Sequence, residues 1–295
     1  MSAKLLTAKG PLQDYENELR QRAQACRMAG IVPTLAILRV GENKPDLSYE
    51  RSALKRADDL GVQVRVHALP ADAAQNQLLA EIDAINADDT EQGCLMFRPL
   101  DKRFDEHEAC DRLSPAKDAD GMTTTALASI FTGVGEGYPP CTADACLRML
   151  DAYGISVAGK HVVVIGRSLV IGKPVALMLL ARNATVTICH SKTEHLADIT
   201  RSADLVVCAT GRPRAYGPEY FVPGQIVLDV GINFDVGGKI CGDVDTDAVA
   251  DIVEAISPVP GGIGSFTTRL VFDHTIQAAE RAIARRGAAN QGKRA

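Results

Sequence analysis

The stretch HVVVIGRSLVIGKPVALMLL, residues 161–180, sets an apolar strand, a glycine turn and a helix in succession. Gly166 ends the strand, Gly172 enters the helix, and Pro174 suits a first helical turn. Backbone N–H groups in such a turn can hold a pyrophosphate, and the helix dipole favours the anion. The pattern is G-R-S-x-x-x-G-x-P rather than G-x-G-x-x-G, so a purely structural strand-turn-helix is the alternative. The next strand, ATVTICH, ends in His190-Ser191-Lys192-Thr193. It lacks the Asp or Glu that an NAD-preferring fold places on the ribose 2′-hydroxyl. With Arg167 in the first turn, donors and cations without an opposing acid suit a 2′-phosphate, so NADP is favoured over NAD. The plainer alternative leaves Arg167 and Lys192 as solvated surface charges. DVGIN, 229–233, ends a later strand, and open α/β sheets bind ligands beyond such carboxyl ends.

A second candidate lies in SYERSALKRADDLG, residues 48–61, which reads as an amphipathic helix carrying Tyr49, Lys55 and Arg56. One turn after Tyr49 stands Ala53. At about 100° per residue, a spacing of four keeps two side chains within about 40° of each other, whereas Lys55 lies about 240° from Tyr49 and points elsewhere. Ala53 by itself is an ordinary helix former.

Strands alternating with helices must position these residues. PTLAILRVG, VQVRVHALP and GCLMFRPL read as strands between the helices 11–30, 48–60 and 75–89. From 101 to 140 the chain is less regular, with SPAKDADG and GVGEGYPP as turn material. CTADACLRMLDAYG reads as a helix, and HVVVIG, ATVTICH, ADLVVCATG and QIVLDVGIN read as four strands of a second unit. TTRLVFDHTIQAAERAIARRG is a helix with an apolar stripe. The fold class is α/β, the second unit a Rossmann-like doubly wound parallel sheet. The expected domains are 1–139, completed by a helix over about 267–287, and 140–266, with 288–295 a flexible tail.

The 295 residues are 46% hydrophobic and 23% charged, the balance of a soluble globular protein. A net charge of −5 gives no sign of general nucleic-acid binding. The eight cysteines form no C-x-x-C pair and the six histidines no H-E-x-x-H, so no metal site is expected and the thiols read as reduced. There is no apolar run near the ~20 residues of a membrane span, and the acidic N-terminal stretch is no signal core; a cytoplasmic protein is expected.

Together, PTLAILRVG at 33–41, Ser48-Tyr49, Lys117-Asp118-Ala119-Asp120-Gly121, Pro140-Cys141-Thr142, GRSLVIGKP, DVGIN, GDVD at 242–245 and PVPGGIG at 258–264 occur in order along nearly the whole chain. The sequence thereby resembles the bifunctional methylenetetrahydrofolate dehydrogenase/cyclohydrolase family of one-carbon metabolism. The resemblance implies two α/β domains flanking a cleft, folate on the first and NADP on the second, a C-terminal helix returning to the first, and a homodimer. It implies that Tyr49 stacks on the folate and that Asp120 binds the pterin, whose adjacent N–H donors suit a bidentate acceptor. Gly166, Arg167, Ser168, Ser191 and Ile232 match cofactor contacts. Pro260, Gly261 and Gly262 match a loop lining the cleft. By itself, Asp120-Gly121 also reads as an ordinary turn.

Two departures fall in one place. The family's Tyr-x-x-x-Lys has Ala53 at its lysine, with Tyr49-to-Gly61 spacing kept, and its V-Q-L-P-L strand reads Met96-Phe97-Arg98-Pro99-Leu100, with Phe97 at the glutamine. Hydride transfer from the bridging carbon needs chiefly orientation. Hydrolysis of the methenyl product needs proton transfer, for which a lysine of lowered pKa is suited. The expected function is therefore an NADP-dependent methylenetetrahydrofolate dehydrogenase with the cyclohydrolase step weak or lost. The alternatives are a full bifunctional enzyme with Arg98 or another base standing in, a non-catalytic folate- or nucleotide-binding protein, and a dehydrogenase of another small substrate.

Overall fold

A computed structural model describes residues 2–292. The chain divides into two compact units: residues up to Gln13 with Pro140–Thr267, and Asp14–Pro139 with the chain from Thr268 onward. In chain order the first elements are β1 (Lys4–Leu5), α1 (Lys9–Met28), β2 (Thr34–Val40), α2 (Lys44–Leu60), β3 (Gln63–Leu69), α3 (Gln75–Ala87), β4 (Gly93–Met96), α4 (Glu106–Arg112) and α5 (Thr124–Thr132). They continue with α6 (Cys141–Ala152), β5 (His161–Ile165), α7 (Gly172–Ala181), β6 (Thr185–Cys189), α8 (Leu196–Arg201), β7 (Leu205–Cys208) and β8 (Ile226–Asp229). Last come β9 (Asn233–Phe234), β10 (Ile240–Cys241), α9 (Thr246–Val249), β11 (Ala255–Ile256) and α10 (Gly264–Gly292).

In the Asp14–Pro139 unit a three-stranded parallel sheet has the order β3-β2-β4. The central strand β2 is buried along nearly all its length, as a strand covered on both faces must be. The core joins Ala36 and Leu38 of β2 to Leu78, Ile82 and Ile85 of α3. Helix α2 starts at Asn43, whose side chain accepts the N–H of Asp46, and ends at Gly61 in the left-handed conformation, φ 73°. It buries Ala53, Ala57 and Leu60, one face at i, i+4 and i+7. Arg39 of β2, itself buried, donates to Glu50 of α2 at 2.7 Å and fixes the helix over the strand. Within this unit α10 packs on α1: Tyr15 Oη donates to Asp273 at 2.6 Å, and Arg22 bridges Asp273 and Glu280. Burial raises the Asp273 pKa, but Tyr15, Gln277 and Arg22 outweigh it, and the carboxyl is held below its ordinary value.

The other unit carries a six-stranded parallel sheet, order β1-β11-β8-β7-β5-β6. Its centre is the Val163, Ile165, Val206 and Val227 cluster. The order reverses at β5, the crevice where such sheets take ligands. The small strands β1 and β11 carry no readable periodicity, and the 101–140 stretch, expected to be irregular, contains α4 and α5. QIVLDVGIN is not one strand: the ladder stops at Asp229, and Asn233–Phe234 pairs antiparallel with β10. The expected tail over 288–295 falls partly outside the described residues, which end at Gly292 within α10. The eight cysteines are all buried and free.

Candidate active site

In the three-stranded unit, α2 carries Tyr49, and β4 leads directly into Phe97 and Arg98. The Tyr49 and Phe97 rings meet edge to face with centroids 5.4 Å apart. Ala53, one turn on from Tyr49, is only 7% exposed, whereas Lys55 is exposed and points away from that face. Arg98 Nη1 donates to Glu106 at 3.2 Å, and Arg98 Nη2 lies 3.9 Å from Asp120 Oδ2. Glu106 also accepts the Leu100 N–H at 2.7 Å, so the first residue of α4 pins the loop that bears Arg98. Asp120 thus lies beside a fixed guanidinium.

The backbone around Asp120 is tied down on both sides. Asp118 is buried and accepts the Thr123 N–H at 2.7 Å. Burial raises its pKa, opposed by the N–H groups of Thr123, Met122 and Gly121. Buried His274 of α10 donates through Nδ1 to Ala119 O at 2.8 Å and stacks on Tyr138, centroids 4.7 Å apart. His274 was not legible in the sequence because its partner, Ala119, lies 155 residues away along the chain. A cavity of about 450 Å³ opens at the carboxyl ends of β2 and β4, lined by Gly41, Asn43, Phe97, Pro99 and Arg103. Phe97 lines it; Tyr49, Ala53 and Asp120 do not.

In the six-stranded unit, Gly166, Arg167, Ser168 and Ser191 come together in a cavity of about 310 Å³. Gly166 has φ 132°, and a side chain there would strike the carbonyl of Ala209; one at Gly172 would strike the carbonyl of Gly166. The turn therefore requires both glycines and leaves its backbone open to a ligand. Ser168 Oγ accepts the Ile171 N–H at 3.1 Å and shapes the entry to α7. His190, Thr210 and Arg212 line the same cavity; Lys192, part of the cationic signal in the sequence, is not among its lining residues. No carboxylate appears among the described residues that line it. This is an anion-binding pocket in which donors and cations face no competing acid, and it fits a phosphorylated dinucleotide.

Ile232 lies elsewhere. It lines a smaller cavity, about 160 Å³, together with Pro260, Gly261 and Gly262. The DVGIN end and the glycine loop thus form one surface, shaped by two buried carboxylates. Asp229 accepts N–H bonds from Gly231, Asp243 and Val244 at 2.9–3.0 Å. Burial pushes its carboxyl up to about 7 against those donors. Asp243 accepts from Gly211 and Arg212 at 3.1 and 2.8 Å and from the Asn233 amide at 2.9 Å. GDVD was legible as a motif; that it clamps two ligand-facing loops was not.

Comparison with known proteins follows the same division. Residues 6–120 match the family described as tetrahydrofolate dehydrogenase/cyclohydrolase, catalytic domain, and residues 140–283 match its NAD(P)-binding domain. The bifunctional protein FolD of Carboxydothermus hydrogenoformans is 43% identical over 94% of this chain and 98% of its own length. The crystal structure of the bifunctional FolD methylenetetrahydrofolate dehydrogenase/cyclohydrolase from Campylobacter jejuni superposes with a TM-score of 0.92 at 35% identity, covering 95% of this chain and 100% of that one. The Trypanosoma brucei methylenetetrahydrofolate dehydrogenase-cyclohydrolase, crystallised with NADP and an inhibitor, superposes at 0.89 with 30% identity, over 96% and 99% of the two chains.

Proposed function

The chain belongs to the tetrahydrofolate dehydrogenase/cyclohydrolase family, and on that premise we propose that it oxidises 5,10-methylenetetrahydrofolate with NADP and hydrolyses the methenyl product, the two activities its relatives' names carry. The observation that supports the oxidation most directly is the acid-free pocket at Gly166, Arg167, Ser168 and Ser191. Bound there, NADP supplies the hydride acceptor. The chain's residues bind and orient: Tyr49 offers a ring face to the folate, Asp120 accepts pterin N–H donors, and Ile232 with Pro260–Gly262 lines a second ligand-facing surface. The resemblance extends the proposal to a homodimer, which light scattering on a sizing column reads.

One observation favours a second reading, in which hydrolysis is weak. Where the resemblance expects a lysine α2 buries Ala53, and where it expects a glutamine Phe97 packs on Tyr49. Neither side chain has an ionisable proton. A guanidinium such as that of Arg98 is a poor general base, because it keeps its proton in proteins. Purified protein given methylenetetrahydrofolate and NADP distinguishes the readings when NADPH and methenyl absorbance are followed separately. NADPH formation with methenyl decay above the buffer rate supports both activities; accumulation of methenyl supports the second reading. Absence of NADPH formation defeats the proposal.

A further inference from the structure

We infer that Arg212 is a second phosphate-binding cation of the nucleotide pocket and sets its preference for a 2′-phosphorylated dinucleotide. This rests on the NADP reading above and extends it to a residue outside the glycine-turn motif. Arg212 follows β7 by four positions and lines the cavity that holds Arg167, His190 and Ser191.

Its loop is held from behind. The Arg212 N–H donates to buried Asp243 at 2.8 Å, and the Gly211 N–H to the same carboxylate at 3.1 Å. Thr210 Oγ1 bonds both Asp243 and the Tyr216 hydroxyl. The backbone is therefore fixed while the guanidinium remains uncommitted: among the described residues Arg212 has no side-chain hydrogen bond or ion pair, and neither has Arg167. Arg214, two residues on, is the contrast, for it pairs with Asp245 at 3.2 Å and Asp247 at 3.5 Å. One arginine of the loop is thus neutralised and the other faces the cavity.

Two unpaired guanidinium groups lining one cavity repel each other, and a dianionic phosphate between them reverses that sign; a neutral 2′-hydroxyl does not. Arginine suits this work because its planar fork matches phosphate oxygens in pairs. His190 adds to the set. Its Nδ1 accepts the Lys192 N–H at 3.2 Å, which leaves the proton of the neutral ring on Nε2 as a donor. Sequence patterning could not place Arg212 here, because its distance from Arg167 along the chain reveals nothing of their shared cavity.

The test is titration of the whole protein and its variants with NADP, NAD, 2′,5′-ADP and 5′-AMP, with melting curves as a folding control. Arg212→Ala should weaken NADP and 2′,5′-ADP about 10- to 100-fold, the range of a charge-assisted hydrogen bond, and leave NAD and 5′-AMP within about two-fold. Arg212→Lys, which keeps the charge and the fold but not the fork, should fall between. Arg214→Ala should leave the NADP to NAD ratio unchanged. Equal weakening of all four ligands by Arg212→Ala would overturn the inference, since Arg212 would then serve the adenine or the pyrophosphate, and so would no weakening at all. Equal affinity of the unmodified protein for NADP and NAD is a separate result: it would sink the NADP reading itself.

Discussion

Installing Lys at position 53 and Gln at position 97 tests the second reading, in which weak proton transfer limits hydrolysis. Phe97 is 8% exposed and meets Tyr49 edge to face, so Phe97→Gln gives up most of a buried ring. Phe→Ala in a core costs about 3–5 kcal/mol, and an aromatic pair is worth about 0.5–1.5 kcal/mol beyond its area. Glutamine keeps part of the volume, so about 3 kcal/mol is expected. Ala53→Lys adds a long side chain at a position 7% exposed, an overpacking cost of about 1–3 kcal/mol. Space vacated by the ring lowers that second cost, because changes at neighbouring sites do not add. A total near 4 kcal/mol leaves a protein of ordinary stability, about 5–15 kcal/mol, folded at 25 °C. The catalytic gain is set by general acid/base chemistry, about 10²–10⁴-fold, or roughly 2.7–5.5 kcal/mol off the barrier. On the second reading, methenyl decay should therefore run at the buffer rate with the unmodified protein and well above it with the double variant. Ala53→Lys alone should do less, having no oriented partner, and Lys55→Ala should change nothing, its side chain being exposed on another face. Rapid decay with the unmodified protein refutes the second reading and supports both activities. A folded, substrate-binding double variant that leaves decay at the buffer rate refutes the reasoning as well.

Asp120→Ala should abolish tight folate binding, a loss of about 2–5 kcal/mol for a charge-assisted pair, and leave NADP binding intact; calorimetry with each ligand checks both, and normal folate binding would reduce Asp120 to a turn residue. His67 of β3 should tie stability to pH. Burial lowers its pKa, but hydrogen bonds to Glu81 at 2.6 Å and to buried Glu91 at 2.9 Å outweigh that and hold it above its ordinary value. A raised folded pKa means its contribution is complete below about pH 6.5 and is lost as pH rises through the folded value. Urea midpoints should fall more steeply with rising pH for the unmodified protein than for His67→Gln, and parallel slopes would show that the two carboxylates do not hold the proton.

Local chemistry made much of this protein readable in one dimension. The apolar run of β2, the glycines at 166 and 172 and the helical spacing that turns Lys55 away from Ala53 are all set by neighbours a few residues apart. Turn sterics and side-chain periodicity act at that range, and the resemblance carried by ordered motifs named the chemistry. The short strands β1 and β11 were invisible because two residues have no period; they exist because the sheet beside β8 offers them unpaired backbone groups. α4 and α5 were hidden among turn residues, although their caps, Asp105 and Thr123, each accept an N–H only three residues on. The guanidinium of Arg98 beside Asp120, the carboxylates of Asp229 and Asp243 under two loops, and Arg212 in the pocket of Arg167 each join residues from separate parts of the chain. Which strands become neighbours decides such meetings, and sheet order is a property of the packed core rather than of any local stretch.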